Sequence, residues 1–154
     1  MSTTQTERGV QALQSDRDAG VWQGRSVARR FVSPDGCIVL VGRTAADNDV
    51  LTFKLASPKD FWLHVGGGVS GSHVVVRNPG GLPHLPRDTL RFAAALAAGY
   101  SKARHAGAVA VHWTTRAAVR KPRGAPPGTV MLEQFRTVHV APQRLPAGAT
   151  ATGS

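Results

Sequence analysis

The chain has 154 residues, the span of one ordinary domain, and 42% of them are hydrophobic, enough for a core without disulfides or metals. Its longest mainly apolar stretch, Phe92 to Ala98, is far short of the roughly 20 residues that cross a bilayer, which excludes a membrane span and predicts no membrane partner. The formal charge of +10 falls unevenly: residues 61–154 carry eleven Lys/Arg against Asp88 and Glu133, and residues 1–60 carry eight against seven.

Residues 1–21 are polar and lack an apolar period, so they read as a flexible tail. Met-Ser-Thr-Thr at the start is not a secretory signal, so a cytoplasmic protein is expected. Ser26 to Val32 reads as a strand, Ser33-Pro34-Asp35-Gly36 as a turn, and Cys37 to Val41 as a buried strand completing a hairpin. Cys37, the single cysteine, is then an inert core thiol. Asp47 or Asn48 caps a short helix through about Leu55. Phe61 to Val65 is a strand with Phe61, Leu63 and Val65 on one side and Trp62 and His64 on the other. Ser72 to Arg77 is the next strand, followed by a Pro/Gly loop from Asn78 to Pro86. The main helix is expected from Asp88 to His105, with many alanines for close packing on a sheet. Val109 to Trp113 is a strand, 119–127 a basic Pro/Gly loop, and 128–131 and 136–140 the final strands. Residues 141–154 read as a second tail. The expected fold is α+β: one domain over 22–140, with a mixed, mostly antiparallel sheet packed against one long Ala-rich helix and a shorter helix.

A basic half dominated by arginine, fifteen Arg to four Lys overall, suggests a polyanion partner, most simply nucleic acid. Solubility in a GC-rich background is the plainer reading of the same charge. Arg43 leaves a buried strand beside Gly42, where a guanidinium reaches a phosphate or pairs with Asp47 or Asp49. Trp62 and His64 offer faces for stacking unpaired bases, unless the main helix covers them. His73 with Asp60 and His64 admits a general acid/base set or a polar network holding a loop. No HExxH, HxH or DxD spacing joins Asp60, His64 and His73, so no metal is expected. Arg116, Arg120, Lys121 and Arg123 bracket the stiff Pro/Gly loop and suit phosphates, or form a solvated loop. Arg77, Arg87 and Arg91 extend that surface. Gly66-Gly67-Gly68 and Gly71 make no GxxxxGK[ST] pattern, so neither a nucleoside triphosphate nor another cofactor is expected.

Five motifs stand in register. They are Val41-Gly42-Arg43-Thr44 with Asn48-Asp49-Val50-Leu51-Thr52, Asp60-Phe61-Trp62-Leu63-His64, Gly71-Ser72-His73-Val74-Val75, Tyr100-Ser101-Lys102-Ala103-Arg104, and Lys121-Pro122-Arg123-Gly124 with Pro127-Gly128-Thr129-Val130. Over about residues 25–140 the chain resembles the NFACT-R domain family in its stand-alone bacterial form. Thr44 stands where the family pattern has Asn, and Ser70 where it has Pro. The resemblance implies RNA binding. Multidomain relatives work in ribosome-associated quality control and bind tRNA and the large ribosomal subunit. The expected ligand is structured RNA, tRNA or ribosomal RNA, with Arg43, Arg116, Arg120, Lys121 and Arg123 on phosphates. Asn48, His64 and His73 shape a more selective pocket. The alternatives are an RNA-processing or RNA-modifying enzyme using Asp60, His64 and His73, and a basic protein-docking module.

Overall fold

The computed structural model describes residues 15–145. Most of both expected tails therefore lies outside the described residues. Within the expected N-terminal tail, Ser15 caps a short helix, α1 (Asp16–Ala19), its Oγ accepting from the Asp18 N–H. A small hairpin of β1 (Val21–Trp22) and β2 (Arg25–Ser26) follows. Among the described residues, Asp16–Ala19 and the small hairpin thus lie at or across the expected boundary at residue 22.

Six strands form the main sheet. In chain order they are β3 (Ala28–Val32), β4 (Ile38–Gly42), β5 (Phe61–Val65), β6 (Val74–Val76), β7 (Val109–Thr115) and β10 (Arg136–Val140). Their spatial order is β10-β7-β5-β6-β4-β3, and every pairing is antiparallel. The β3–β4 hairpin closes through the expected turn: Ser33 Oγ accepts from the Cys37 N–H, and Gly36 takes φ +82°, which favours glycine. Cys37 itself is half-buried. The α+β class is as expected.

Strand alternation divides the core. Phe31, Val39, Phe61, Leu63, Val65 and Val111 pack on α3 (Arg87–Gly99), the main helix. Ala93, Ala94 and Ala97 are fully buried there, so the helix lies close to the sheet. Leu40, Trp62 and Val75 face the other way, against Leu51, Leu55 and Val119. The helix over the Trp62 side is not the main one, as one reading allowed, but α2 (Ala45–Val50) with its wider π-turn extension, Leu51–Leu55. Thr44 caps α2, its Oγ1 accepting from the Asp47 N–H, where Asp47 or Asn48 was expected. The asparagine is thereby freed to point inward. Among the described residues no helix is long and apolar enough to cross a membrane.

Two expectations need correction. The segment 128–131 contributes no strand to the main sheet; Met131–Leu132 is β9, paired with β8 (Val119–Arg120) in a separate two-stranded arm. The main helix also stops at Gly99, six residues before His105. There Ser101 Oγ–H donates to the Ala98 carbonyl, and a bridge between Ser101 and Gly71 pulls the chain sideways. Gly99 is required by close approach: a Cβ would sit 1.7 Å from the Gln143 carbonyl oxygen. Gly99→Ala is expected to lift residues 142–145 off the helix and break the Gln143 N–H to Ala95 O bond of 2.9 Å. Thermal denaturation should show a loss on the order of 1–2 kcal/mol.

Candidate nucleic-acid interface

The early stop of α3 builds a cationic cleft. Tyr100 to Arg104 crosses toward the β5–β6 connection, with Ser72 N–H donating to Tyr100 O at 3.0 Å and Lys102 N–H to Ser70 O at 2.9 Å. This brings Lys102 and Arg104 beside Arg29, Arg43 and Arg144 around a cleft of about 310 Å³. No Asp or Glu lines it. Two guanidinium groups approach the Tyr100 ring, Arg29 at 5.0 Å and Arg144 at 4.8 Å from its centroid. Five cations without a carboxylate repel one another, and a bound phosphate would relieve that repulsion.

A second groove, of about 620 Å³, adjoins the cleft; Ala45, Asn48, Ser70 and Gly71 line both. Its floor carries His64, His73 and His112. His64 and His112 are directly opposite on β5 and β7, and His112 stacks on Phe135 at 4.1 Å between centroids. Gly66 makes room, because a Cβ there would lie 2.6 Å from His112 Nε2. The outer wall is the Gly128 to Met131 segment.

Hydrogen bonding fixes the state of His73. Trp62 Nε1–H donates to Thr52 Oγ1 at 3.1 Å, and Thr52 Oγ1 lies 2.9 Å from His73 Nδ1. His73 Nε2 lies 3.1 Å from the Gly128 carbonyl, which can only accept. Nε2 therefore carries the proton, Nδ1 accepts, and the threonine hydroxyl donates to it. Burial lowers the pKa of His73 to about 4, helped by neighbouring His64. Burial also lowers that of His64, against the pull of the Val65 and Gly71 backbone. Both imidazoles are neutral at pH 7.

The expected site residues divide. Arg43 is exposed and lines the cleft; its Nε–H donates to Ser26 Oγ, while Asp47 pairs with Arg25 and Asp49 with Lys121. Asn48 and His73 are buried: Asn48 Oδ1 accepts from the His73 N–H at 3.0 Å, and its amide donates to Gly71 O at 3.4 Å. They border the groove and hold it together. His64 is half-buried in its floor. The basic loop is mostly engaged internally. Arg116 donates to Thr52 O and Val119 O, Arg120 pairs with Glu133, and Lys121 donates to Pro126 O and Thr129 O. Arg123 alone of the four is exposed without a hydrogen bond or ion pair among the described residues. Arg77 sits in ion pairs with Asp18 and Asp60, and Arg87 and Arg91 lie exposed on α3 outside both cavities.

Asp60 does not join the histidines. Its carboxylate accepts from Ser57 N–H, Asn78 N–H and Arg77, and it lines neither cavity. With both ring nitrogens of His73 engaged as well, Asp60, His64 and His73 form no common acid/base site. Among the described residues no three His, Cys, Asp or Glu side chains could hold a metal ion.

The model of the family described as the NFACT protein RNA binding domain matches residues 28–134. The chain belongs to this family. Relatives of this NFACT domain include the protein named "Rqc2 homolog RqcH" of Bacillus subtilis, 37% identical over 116 residues, 75% of this chain and 20% of that one. The protein of the same name from Streptococcus suis is 38% identical over 121 residues, 77% and 21% respectively. The chain thus spans about a fifth of the length of these relatives. The solved C-terminal part of the Streptococcus suis fibronectin/fibrinogen-binding protein aligns with TM-score 0.71 and 32% identity, over 90% of this chain and 55% of that one. The family's motifs now have positions. The Tyr100–Arg104 run carries two of the five cleft cations, and Asn48, His64, His73 and Gly128 border the groove.

Sequence reasoning missed Arg29, Lys102, Arg104, Arg144, His112 and Phe135. Lys102 and Arg104 stood in a recognised motif but were assigned to a helix end. Arg29 and His112 face the site only through strand register, which the sequence does not display.

Proposed function

We propose that this NFACT domain binds structured RNA, such as tRNA or ribosomal RNA, in ribosome-associated quality control, and so works in the cytoplasm. One observation carries the reading: five cations and no carboxylate surround a cleft that opens beside a histidine-lined groove. Phosphates bind such clefts and give salt-dependent affinity, while aromatic rings add selectivity. The names of the RqcH relatives, and of a Drosophila melanogaster "Ribosome quality control complex subunit NEMF homolog" 34% identical over 93 residues, favour the ribosomal setting.

The test is a titration of labelled bulk tRNA at several salt concentrations, with duplex DNA alongside. Preference for tRNA and a steep salt slope are expected. Arg43→Glu with Arg104→Glu should weaken tRNA binding about 100-fold at low salt and reduce the slope by about 2. Equal, weak binding of tRNA and DNA, with the slope unchanged in the double variant, overturns the reading.

A further inference from the structure

The two cavities differ in electrostatic character, and that difference selects what each can hold. The cleft is cationic throughout. The groove behind it holds three imidazoles, the Phe135 ring and an apolar outer rim, and no Lys or Arg lines it. An anion gains from the first and gains nothing comparable from the second. A flat, uncharged, aromatic ring gains from the second, where ring faces and edges are already displayed.

Ala45, Asn48, Ser70 and Gly71 form the boundary between them. Asn48 contributes to both cavities, and its side chain spans from the His73 N–H to the Gly71 carbonyl. A nucleotide's base and its phosphate are joined across a single sugar, so one residue of RNA can straddle such a boundary. The groove volume of about 620 Å³ also falls in the range of pockets that enclose small ligands, roughly 300–1,000 Å³.

The Phe135 ring at the groove lies outside the hydrophobic core. Phe135 is 49% exposed, and its stacking partner His112 is half-buried. Exposing a large aromatic face beside a cavity costs burial that the core could otherwise take. Next to it, Met131 is 59% exposed on the opposing wall. Both apolar side chains line the groove and face solvent.

We propose that the site reads one unpaired nucleotide, its base inserted in the groove against His64, His112 and Phe135 and its phosphate held in the cleft by Arg43 and Arg104. The base must leave its helix to enter, so paired RNA engages the cleft alone. This rests on the RNA-binding reading above and adds the class of RNA element that is recognised.

The probe is an RNA duplex with a single bulged adenosine, compared with the same duplex carrying an abasic residue at the bulge. The two have equal charge, so any difference comes from the base. Wild-type protein should prefer the bulged adenosine by at least about tenfold. In Phe135→Ala that preference should fall below about threefold. His112→Ala, read the same way, guards against a variant-specific effect. In Arg104→Glu both RNAs should weaken together, with the preference kept. Equal affinity of wild type for the two bulges overturns the proposal while RNA binding stands. Failure to bind either RNA overturns both.

Discussion

Replacing Asp60 with alanine is expected to lower the unfolding free energy by about 3–5 kcal/mol, the largest effect of any single substitution considered. The residue is 1% exposed. Its carboxylate accepts the Ser57 N–H and the Asn78 N–H at 2.9 Å each and pairs with Arg77. Removing it strands a guanidinium that is only 13% exposed and two backbone donors at the ends of the α2–β5 and β6–α3 connections. Arg77 keeps Asp18 as a partner, but that carboxylate is 35% exposed and replaces little of the loss. The measurement is urea denaturation. Pairing the change with Arg77→Met should recover part of the loss, because the stranded charge is then gone. A loss below about 1 kcal/mol in the single variant would show that the pair does not hold these connections.

Acid should loosen the other side of the molecule. His73 has a pKa of about 4 in the fold and about 6.5 when unfolded. Between those values the unfolded chain binds more protons, so stability rises with pH across this window. It is complete above about 6.5 and is lost as pH falls toward 4, to a total of about 3 kcal/mol. The cause is burial, which disfavours the charged imidazole, helped by neighbouring His64, and the hydrogen-bond geometry agrees. Protonation would put a second N–H against Thr52 Oγ1, which already accepts from Trp62. The facing groups are His64, Asp49 and the Gly128 carbonyl. Unfolding followed by denaturant from pH 7 to pH 4 should show the slope, and His73→Gln should flatten it. A His73→Gln variant with the wild-type slope would assign the effect elsewhere.

The sequence made the sheet legible because its strands alternate and its turn residues stand where a hairpin needs them, as at Ser33 to Gly36. It also placed Trp62 and His64 on one face, where both are found. The end of the main helix was not legible. Tyr100 to Arg104 has helical periodicity, and what stops the helix is the bridge to Gly71, some thirty residues away in the chain and tertiary in origin. The internal bonding of the basic loop was not legible for a related reason. Charge density marks where cations are, not which are engaged, and Lys121 is bound to Asp49 and two carbonyls. Conversely, the cleft draws Arg29 and Arg43 from the half of the chain that is almost neutral. A charge tally along the sequence could not reveal a cluster whose five members come from four separate segments.

The Gly128 to Met131 wall is attached mainly through side chains: His73 to the Gly128 carbonyl, Asp49 to the Gly128 N–H at 3.1 Å, and Lys121 to Thr129 O. Only the two residue pairs of β8 and β9 tie it by backbone ladder. With so short a ladder, its amides are expected to exchange ahead of those in the six-stranded sheet, and amide exchange should show protection lost first over residues 128–131.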